Sequence, residues 1–381
     1  MNTTAFDFDA VPDRSASSSL KWNRYQGRDV IPLWVADMDF RSPPAVLAAL
    51  HARIDHGVFG YTLAPDSLTA AVTDHLRQHY GWAIEPEWLI WLPGLVCGLN
   101  VVCRAAGDIG DEVLTCIPIY PPFMSAPTLM GRTAVTVPLR QNGLHWEMDI
   151  EAMERAISPR TRLLLLCNPH NPVGRVWTEP ELRAVAELAL RHDLLVCSDE
   201  IHADLILDAD KRHLPLAMLG PEIARRTVTL HAPSKTYNIP GLGCSFAVVA
   251  DPGLRQSLHR AMDGIVPHVN LLGYAAAEAA YRFGEPWRLA LLDYLRGNRE
   301  LIMRAVADMN GVTVAQIEAT YLAWLDLRQT GISRPGRLFE QAGVGLSDGA
   351  EFGLPGFVRL NFGCSRALLG EALQRMQRAL S

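Results

Sequence analysis

One lysine stands at a position where an amine can do chemistry. Lys235 in "HAPSKTYN" follows closely on the apolar, β-branched run "TVTL", in a chain where most of the 35 basic residues are arginine. A lysine amine that is withdrawn from water has a lowered pKa and becomes a usable nucleophile or base, as in Schiff-base enzymes. The ordinary alternative for an isolated lysine is a solvated surface position.

Two further polar clusters follow apolar runs in the same way. Asn171 lies in "NPHNPVGR" directly after "RLLLLC", and Asp199 opens "DEIHAD" directly after "LLVCS". Ligands of open parallel sheets bind at the carboxyl ends of the strands, so we expect these side chains to lie near Lys235. Any one cluster alone would be an ordinary polar loop, but the three together indicate a site.

The elements that must position these residues are strands of a parallel sheet. From about residue 80 to 250 the short runs "DEVLTC", "RLLLLC", "LLVCS" and "TVTL" alternate with helical patterns. The runs are continuously apolar, which is typical of strands that are buried on both faces. This alternation predicts βαβ units and an α/β fold. Before it, one helix is predicted from Ser42 as N-cap to Gly57, and another from Asp66 to Tyr80.

The pattern changes after about residue 285. A long helix, "PWRLALLDYLRGNRELIMRAVADMN", precedes the short segments "VTVAQ", "LAWLDL" and "FVRLNF" and a final helix from about Ala367. This order predicts a smaller α+β domain. We therefore expect an N-terminal segment (1–45) that packs with the small domain, a large domain (46–284) and a small C-terminal domain (285–381).

Composition limits the classes of function. With 49% hydrophobic and 20% charged residues the chain can bury a large core. Its net charge of −6 gives no basic field for nucleic acid or an anionic membrane, and no apolar run approaches the length of a membrane span. The seven cysteines are scattered without a C-x-x-C pair, and several lie in apolar strings. We expect a cytoplasmic protein that binds neither nucleic acid nor membrane.

Pyridoxal phosphate (PLP) is a cofactor that requires the residue types found here. It needs a lysine for its aldehyde, an acid for its ring nitrogen and a cradle for its phosphate. Asp199 can hold the ring nitrogen protonated, and Asn171 can donate to the phenolic oxygen. In "WLPGLVCGLN", Gly94 precedes a helical pattern, and helix N-termini bind phosphate.

With these motifs the chain resembles the fold-type I PLP enzymes of the aspartate aminotransferase superfamily. Asn171 matches the asparagine of the N-P-x-G motif, and Asp199 and Lys235 follow at the superfamily's spacings of 28 and 36 positions. Arg359 in "VRLNF" matches the arginine whose planar fork binds the substrate α-carboxylate. The resemblance implies a mostly parallel sheet flanked by helices, with a smaller α+β C-terminal domain.

The resemblance also implies roles for two tyrosines. Tyr61 in "FGYT" matches the tyrosine that reaches the phosphate of the neighbouring subunit, which implies a homodimer. Tyr120 in "PIYPPF" stands where an aromatic ring stacks on the cofactor. The catalytic residues are then expected to be Lys235, Asp199 and Tyr120. The expected cofactor-binding residues are Lys235, Asp199, Asn171, His202, Gly94, Leu95, Val96, Tyr120, Ser234 and Tyr61. The expected substrate-binding residues are Arg359, Asn171 and Ala36.

A narrower resemblance is to C–S lyases of the cystathionine β-lyase type, the MalY/PatB group. It rests on "WVADMDF", "FGYT", "YPPF", "SDEIHADL", "APSKTYNIPGL" and "EATYLAWLDL". His202 stands where aminotransferases usually carry tyrosine, and Ala232 and Gly243 stand where many carry a phosphate-binding serine and arginine. Ala36 replaces a glycine that is common in aminotransferases. The resemblance implies a lyase that converts L-cystathionine or a related cysteine S-conjugate to a thiol, pyruvate and ammonia.

Three alternatives stay open. A class I/II aminotransferase uses the same residues until the α-proton has been removed. A regulatory binding protein that keeps the fold would be favoured by loss of Lys235 or Asp199, and both are present. "DEIHAD" could also be a metal cluster of Asp199, His202 and Asp204, but no second histidine stands at ligand spacing, so no metal is expected.

Overall fold

The computed structural model describes residues 6–381. Residues 1–5 of the predicted N-terminal segment lie outside the described residues. The α-helices are α1 (Leu20–Asn23), α2 (Pro44–His56), α3 (Asp66–Tyr80), α4 (Leu95–Ala105), α5 (Pro122–Leu129), α6 (Ile150–Ala156), α7 (Glu179–Arg191), α8 (Pro221–Ala224), α9 (Pro252–Met262), α10 (Leu271–Phe283), α11 (Glu285–Ala307), α12 (Pro335–Gln341) and α13 (Arg366–Leu380). The β-strands are β1 (Ile31–Pro32), β2 (Leu89–Leu92), β3 (Glu112–Ile117), β4 (Thr133–Pro138), β5 (Arg140–Asn142), β6 (His145–Glu147), β7 (Thr161–Cys167), β8 (Leu195–Asp199), β9 (Thr227–His231), β10 (Ser245–Val248), β11 (Thr313–Val314), β12 (Leu322–Asp326), β13 (Val344–Gly345), β14 (Ser347–Asp348) and β15 (Phe357–Asn361).

The central sheet of the described chain has seven strands in the order β2-β10-β9-β8-β7-β3-β4. Strands β4, β3, β7, β8 and β9 pair in parallel, while β10 runs antiparallel to both of its neighbours. The four apolar runs of the sequence are β3, β7, β8 and β9. The predicted α/β fold with a mostly parallel sheet is therefore confirmed.

The continuous apolar character of these strands follows from burial on both faces. Leu163 and Leu165 of β7 pack in the same apolar cluster as α4 and α9. Leu164 and Leu166, which point to the opposite face, pack in the cluster that contains the apolar face of α7. Because successive side chains of a strand alternate between faces, a strand covered on both sides favours apolar residues at successive positions.

The C-terminal part contains an antiparallel sheet in the order β11-β12-β15-β14. The N-terminal segment reaches this part of the molecule, because β1 pairs in parallel with β13 through Ile31 and Val344. One apolar cluster joins Ile31 to Phe362 and also includes Tyr237 from the central region. The division into 1–45, 46–284 and 285–381 stays our proposal, and the β1–β13 pairing supports its first boundary.

One detail of the predicted helix starts is wrong. Helix α2 begins at Pro44, and no side chain caps it. The Ser42 hydroxyl instead donates to the backbone oxygen of Asn238 at 2.9 Å. The helix does end at Gly57, which adopts the left-handed conformation (φ 76°) that glycine favours. No helix among residues 6–381 combines the length and the apolar character that crossing a membrane requires.

Candidate active site

A cavity of ≈ 290 Å³ lies at the carboxyl ends of β3, β7, β8 and β9. With the exception of Tyr61, the predicted site residues all line it. They come from different strand ends, from the start of α4, from the N-terminal segment and from β15. The fold therefore brings side chains together that are far apart in the sequence.

Lys235 lies in the loop that follows β9, and its amine points into the cavity. Nζ donates a hydrogen bond to the backbone oxygen of Ala36 at 2.5 Å. Removal from water lowers the pKa of Lys235 to about 8, with Asp37 and Asp199 opposing this shift and Arg359 adding to it. A lysine with this pKa is partly neutral near pH 7 and can act as a nucleophile or a base.

Asp199 is the last residue of β8 and is 5% exposed. Its Oδ1 accepts a hydrogen bond from the backbone N–H of Ile201 at 3.1 Å. The pKa of Asp199 is raised to about 7, because burial, helped by Glu200, outweighs the opposing effects of the Ile201 N–H and Lys235. A carboxyl with this pKa can share a proton with a basic ring nitrogen.

The next residue, Glu200, has a structural role that the sequence did not reveal. Its carboxylate accepts hydrogen bonds from the Ser198 hydroxyl at 2.8 Å and the Leu216 N–H at 3.2 Å, and it pairs with His213 Nε2 at 2.6 Å. Burial alone would raise the pKa of Glu200, but His213 and His231 lower it to about 2. This buried anion fixes the end of β8, where the catalytic carboxyl is expected.

Arg359 of β15 supplies a buried cation. Nη1 donates to Asn171 Oδ1 at 3.0 Å, and Nη2 donates to the backbone oxygen of Trp34 at 2.9 Å. The guanidinium lies over the ring of Phe352 at 4.7 Å. Burial lowers the pKa of Arg359 to about 10, so it is still cationic at neutral pH. Its Nε is buried and has no partner among the described residues, which leaves a donor for an anionic ligand.

The start of α4 forms an anion cradle at another wall of the cavity. Gly94 precedes the helix, and no side chain caps it. The first-turn amides at Leu95 and Val96 have no acceptor within the helix and lie at the positive end of its dipole. A Cβ at Gly94 would meet nothing within 4 Å, so the space beside this backbone is open. Ser234 lines the same cavity and can add a hydroxyl.

Two aromatic side chains complete the wall. Burial raises the pKa of Tyr120, so its hydroxyl stays protonated at neutral pH. His202 is 2% exposed, and burial, together with Lys235 and Arg359, lowers its pKa to about 3. Its Nδ1 is buried without a partner in the described chain. A neutral imidazole and a neutral phenol suit the faces of an aromatic cofactor.

These groups fit pyridoxal phosphate. The cavity offers an amine of lowered pKa at Lys235, a proton-sharing carboxyl at Asp199 and an amide at Asn171. It also offers an uncapped helix N-terminus at Gly94. These are the partners that the aldehyde, the ring nitrogen, the phenolic oxygen and the phosphate of this cofactor require.

Tyr61 is the predicted site residue that the single chain does not bring to the cavity. It is fully exposed in the loop between α2 and α3. Tyr61 therefore does not pack within its own chain. Val58, Phe59 and Leu63 of the same loop are also largely exposed, at 60%, 60% and 77%.

The metal cluster considered for "DEIHAD" is not assembled in the part of the chain that the structure describes. Asp204 does not line the cavity with Asp199 and His202. Its Oδ1 pairs with His75 Nε2 at 3.0 Å and accepts a hydrogen bond from the Tyr80 hydroxyl. Asp204 therefore belongs to a separate buried polar group.

Sequence reasoning missed one contact beside the cavity for which a signal existed. The motif "EATYLAWLDL" was used only as a resemblance, and none of its residues was given a role. Its Tyr321 is 1% exposed, and its hydroxyl donates to the backbone oxygen of Ala36 at 3.0 Å. This is the same oxygen that accepts from Lys235.

Comparison with known proteins agrees with this geometry. The sequence model of the family described as aminotransferase class I and II matches residues 28–376. The chain is 37% identical over 387 aligned positions to cystathionine β-lyase PatB of Bacillus subtilis (strain 168), which covers 98% of this chain and 100% of PatB.

Solved structures give the same result. The chain is similar to OvoB, with a TM-score of 0.97 and 46% identity over 99% of each chain. It is also similar to the PLP-bound C–S lyase from Staphylococcus hominis, with a TM-score of 0.93 and 29% identity over 98% of each chain.

Proposed function

This chain belongs to the aminotransferase class I and II family, and we propose that within it the protein is a PLP-dependent C–S β-lyase. The resemblance to fold-type I PLP enzymes and to the cystathionine β-lyase group is confirmed by its relatives. The substrate is L-cystathionine or a related cysteine S-conjugate. Water and the conjugate give a thiol, pyruvate and ammonia, with the β-carbon–sulfur bond broken and the thiol receiving a proton.

The structural observation behind PLP-dependent amino-acid chemistry is that Lys235 and Arg359 line the same cavity, and the similarity to cystathionine β-lyase PatB favours the lyase over the aminotransferase. Arg359 presents a buried cation with an unpartnered Nε, which suits an α-carboxylate. Lys235 presents an amine whose pKa, lowered to about 8, suits removal of a proton from carbon. An amino acid held by its carboxylate at Arg359 would therefore be placed within a cavity that also contains its base.

Bound PLP supplies an electron-withdrawing ring that stabilises negative charge at the α-carbon of the amino acid. Asp199 would hold a proton at the ring nitrogen, and the first turn of α4 would bind the phosphate. Lys235 would take the α-proton at Nζ, where the Ala36 oxygen can hold the resulting ammonium. Asn171 would keep Arg359 in place through its Oδ1.

The apolar part of the lining supports cleavage of a thioether. Val35, Phe123, Ile201 and Pro240 line the cavity together with the charged groups. Apolar walls accept the carbon and sulfur atoms of a conjugate and exclude water, which would otherwise protonate the α-carbon before the thiolate leaves. The identity of the group on sulfur is left to experiment.

The test is a panel of cysteine S-conjugates, including L-cystathionine, incubated with the purified holoenzyme. We expect pyruvate, ammonia and thiol in equal amounts without an added keto acid. A parallel reaction with added keto acids measures transamination. Turnover that requires a keto acid, with no thiol from any conjugate, would replace the lyase proposal by an aminotransferase.

The aminotransferase is kept as the second candidate because Lys235, Asp199 and Arg359 would serve both reactions until the α-proton is removed. A regulatory binding protein that keeps the fold is a third candidate. It is less favoured because the amine and the carboxyl that catalysis needs both line the cavity.

We also propose that the protein is a homodimer in the cytoplasm. The fully exposed Tyr61 and the exposed apolar residues Val58 and Phe59 support an interface at this loop. The seven cysteines are thiols, and six of them are buried, which suits a reducing compartment. Sedimentation of the purified protein and a thiol count on protein isolated without reductant test these two points.

A further inference from the structure

The backbone oxygen of Ala36 accepts two hydrogen bonds. Lys235 Nζ donates at 2.5 Å, and the Tyr321 hydroxyl donates at 3.0 Å. Tyr321 is 1% exposed, so its hydroxyl has little access to water as another acceptor. A carbonyl oxygen has two lone pairs, and these two donors together occupy them.

We propose that Tyr321 is a positioning residue that limits how strongly the Ala36 carbonyl holds the amine of Lys235. A carbonyl that already accepts from one donor has part of its negative charge compensated, so it stabilises a neighbouring ammonium less. The hydroxyl would thereby favour the neutral amine. The importance of this effect for turnover rests on the proposed function, in which Lys235 is the base.

The direction of the effect depends on whether the carbonyl stays in place without Tyr321. Asn361 Nδ2 donates to the backbone oxygens of Val35 at 2.6 Å and of Asp37 at 2.8 Å. These two bonds hold the chain on both sides of Ala36. Loss of the Tyr321 hydroxyl should therefore leave the Ala36 oxygen facing Lys235, as a stronger acceptor for its ammonium.

The other titratable groups that face Lys235 lie on other elements and remain in Tyr321→Phe. Asp37 from the N-terminal segment and Asp199 from β8 raise its pKa, and Arg359 from β15 lowers it. His202 is neutral at pH 7, because burial lowers its pKa to about 3. Tyr321 remains a donor across this pH range, since burial raises the pKa of its hydroxyl.

The test replaces the hydroxyl in the variant Tyr321→Phe. The pKa of Lys235 is measured in the full-length chain freed of cofactor, from the pH dependence of the rate at which an acylating reagent modifies the Lys235 peptide. We expect this pKa to rise by about half to one unit, the equivalent of one neutral hydrogen bond. An unchanged or lower pKa would overturn the proposal.

A matched control is Tyr237→Phe. The Tyr237 hydroxyl is buried close to Lys235 in the sequence and has no partner among the described residues. Its loss should leave the pKa of Lys235 unchanged. A shift equal to that of Tyr321→Phe would mean that any buried hydroxyl has this effect, and the proposal would fall.

The holoenzyme gives a second measurement. In Tyr321→Phe the acid limb of the kcat profile should move to higher pH by the same amount. At pH 7 kcat should fall roughly three- to tenfold, KM should not change, and high pH should restore kcat. A merely structural role would lower the unfolding temperature without this recovery at high pH.

The proposal stays testable if Tyr321→Phe does not fold. A fluorinated tyrosine at position 321 keeps the shape of the ring and is a stronger donor, so it should lower the pKa of Lys235; a rise would contradict the proposal. The labelling experiment does not depend on the reaction. A shifted pKa in a protein that releases no thiol would uphold the role of Tyr321 and reject the lyase.

Discussion

Arg359 and Asn171, 188 positions apart in the sequence, are joined by a hydrogen bond of 3.0 Å from the guanidinium Nη1 to the amide Oδ1. Because arginine can only donate, the acceptor must be the amide oxygen, and this fixes the orientation of the Asn171 side chain. The amide nitrogen is thereby left as a donor for the cavity. One contact thus connects the proposed carboxylate receptor to the proposed partner of the phenolic oxygen.

Replacing Arg359 should weaken every amino-acid substrate. Arg359→Ala removes the bidentate partner of a buried carboxylate. The resulting fall in kcat/KM should correspond to a loss of roughly 2–5 kcal/mol in transition-state stabilisation. Arg359→Lys keeps a positive charge without the planar guanidinium, so its kcat/KM should lie between those of wild type and Arg359→Ala. The control is Arg328→Ala, which removes an exposed arginine that binds Asp326. Equal kcat/KM values for wild type and Arg359→Ala would show that Arg359 does not bind the substrate.

Lys235 should carry the cofactor covalently. The holoenzyme should be yellow, and borohydride reduction should fix the cofactor to the peptide that contains Lys235. Lys235→Ala should lose this adduct and about 10²–10⁴-fold in turnover, because the base is lost. Lys211→Ala serves as the control, since Lys211 is partly exposed and pairs with Glu318 at 3.3 Å. An unmodified Lys235 peptide after reduction would refute the assignment.

Asp199 should make the cofactor-free chain less stable as pH rises. Burial raises its folded-state pKa from 3.8 to about 7, so the folded protein binds this proton more tightly than the unfolded chain does. The resulting stabilisation is present below about pH 4 and is lost as pH rises through about 7, up to about 4 kcal/mol. The variant Asp199→Asn cannot titrate there and should lose less stability across this range.

Urea unfolding of both cofactor-free proteins at several pH values measures this difference. Other titrating groups are common to the two chains, so the comparison isolates position 199. Parallel stability curves for wild type and Asp199→Asn would show that the carboxyl has an ordinary pKa.

Tyr61 should complete the active site of a partner subunit. If it does, Lys235→Ala and Tyr61→Ala are each defective, but a mixed dimer has one site that is intact in both residues. Random exchange of the two variants should then restore about one quarter of wild-type activity. Activity no higher than the sum of the separate variants would mean that Tyr61 acts outside the site, and a fully active monomer would exclude its role across subunits.

The central sheet was predictable because its signals are local. The runs that became β3, β7, β8 and β9 are apolar at successive positions, and each of the last three is followed by a polar cluster. Their convergence follows from the geometry of parallel strands alone. Strands β2, β4 and β10 of this sheet were not predicted, although β2 and β10 are short apolar runs too.

The contacts made by backbone atoms were not predictable in this way. Nothing in the sequence around Ala36 indicates that its backbone oxygen accepts hydrogen bonds from both Lys235 and Tyr321. The prediction for Ser42 was also wrong. A serine just before a helix that starts with prolines is a typical N-cap, but in the folded chain its hydroxyl donates to the backbone oxygen of Asn238. Glu200 was given no role, although it is the centre of a buried polar group.

The N-terminal segment contributes to the site through carbonyl oxygens, from Trp34 to Arg359 and from Ala36 to Lys235. Side-chain scanning of these two positions therefore leaves both acceptors intact and would understate the importance of the segment. An amide-to-ester replacement that weakens a single carbonyl, introduced by chemical ligation near the N-terminus, would measure each contribution directly.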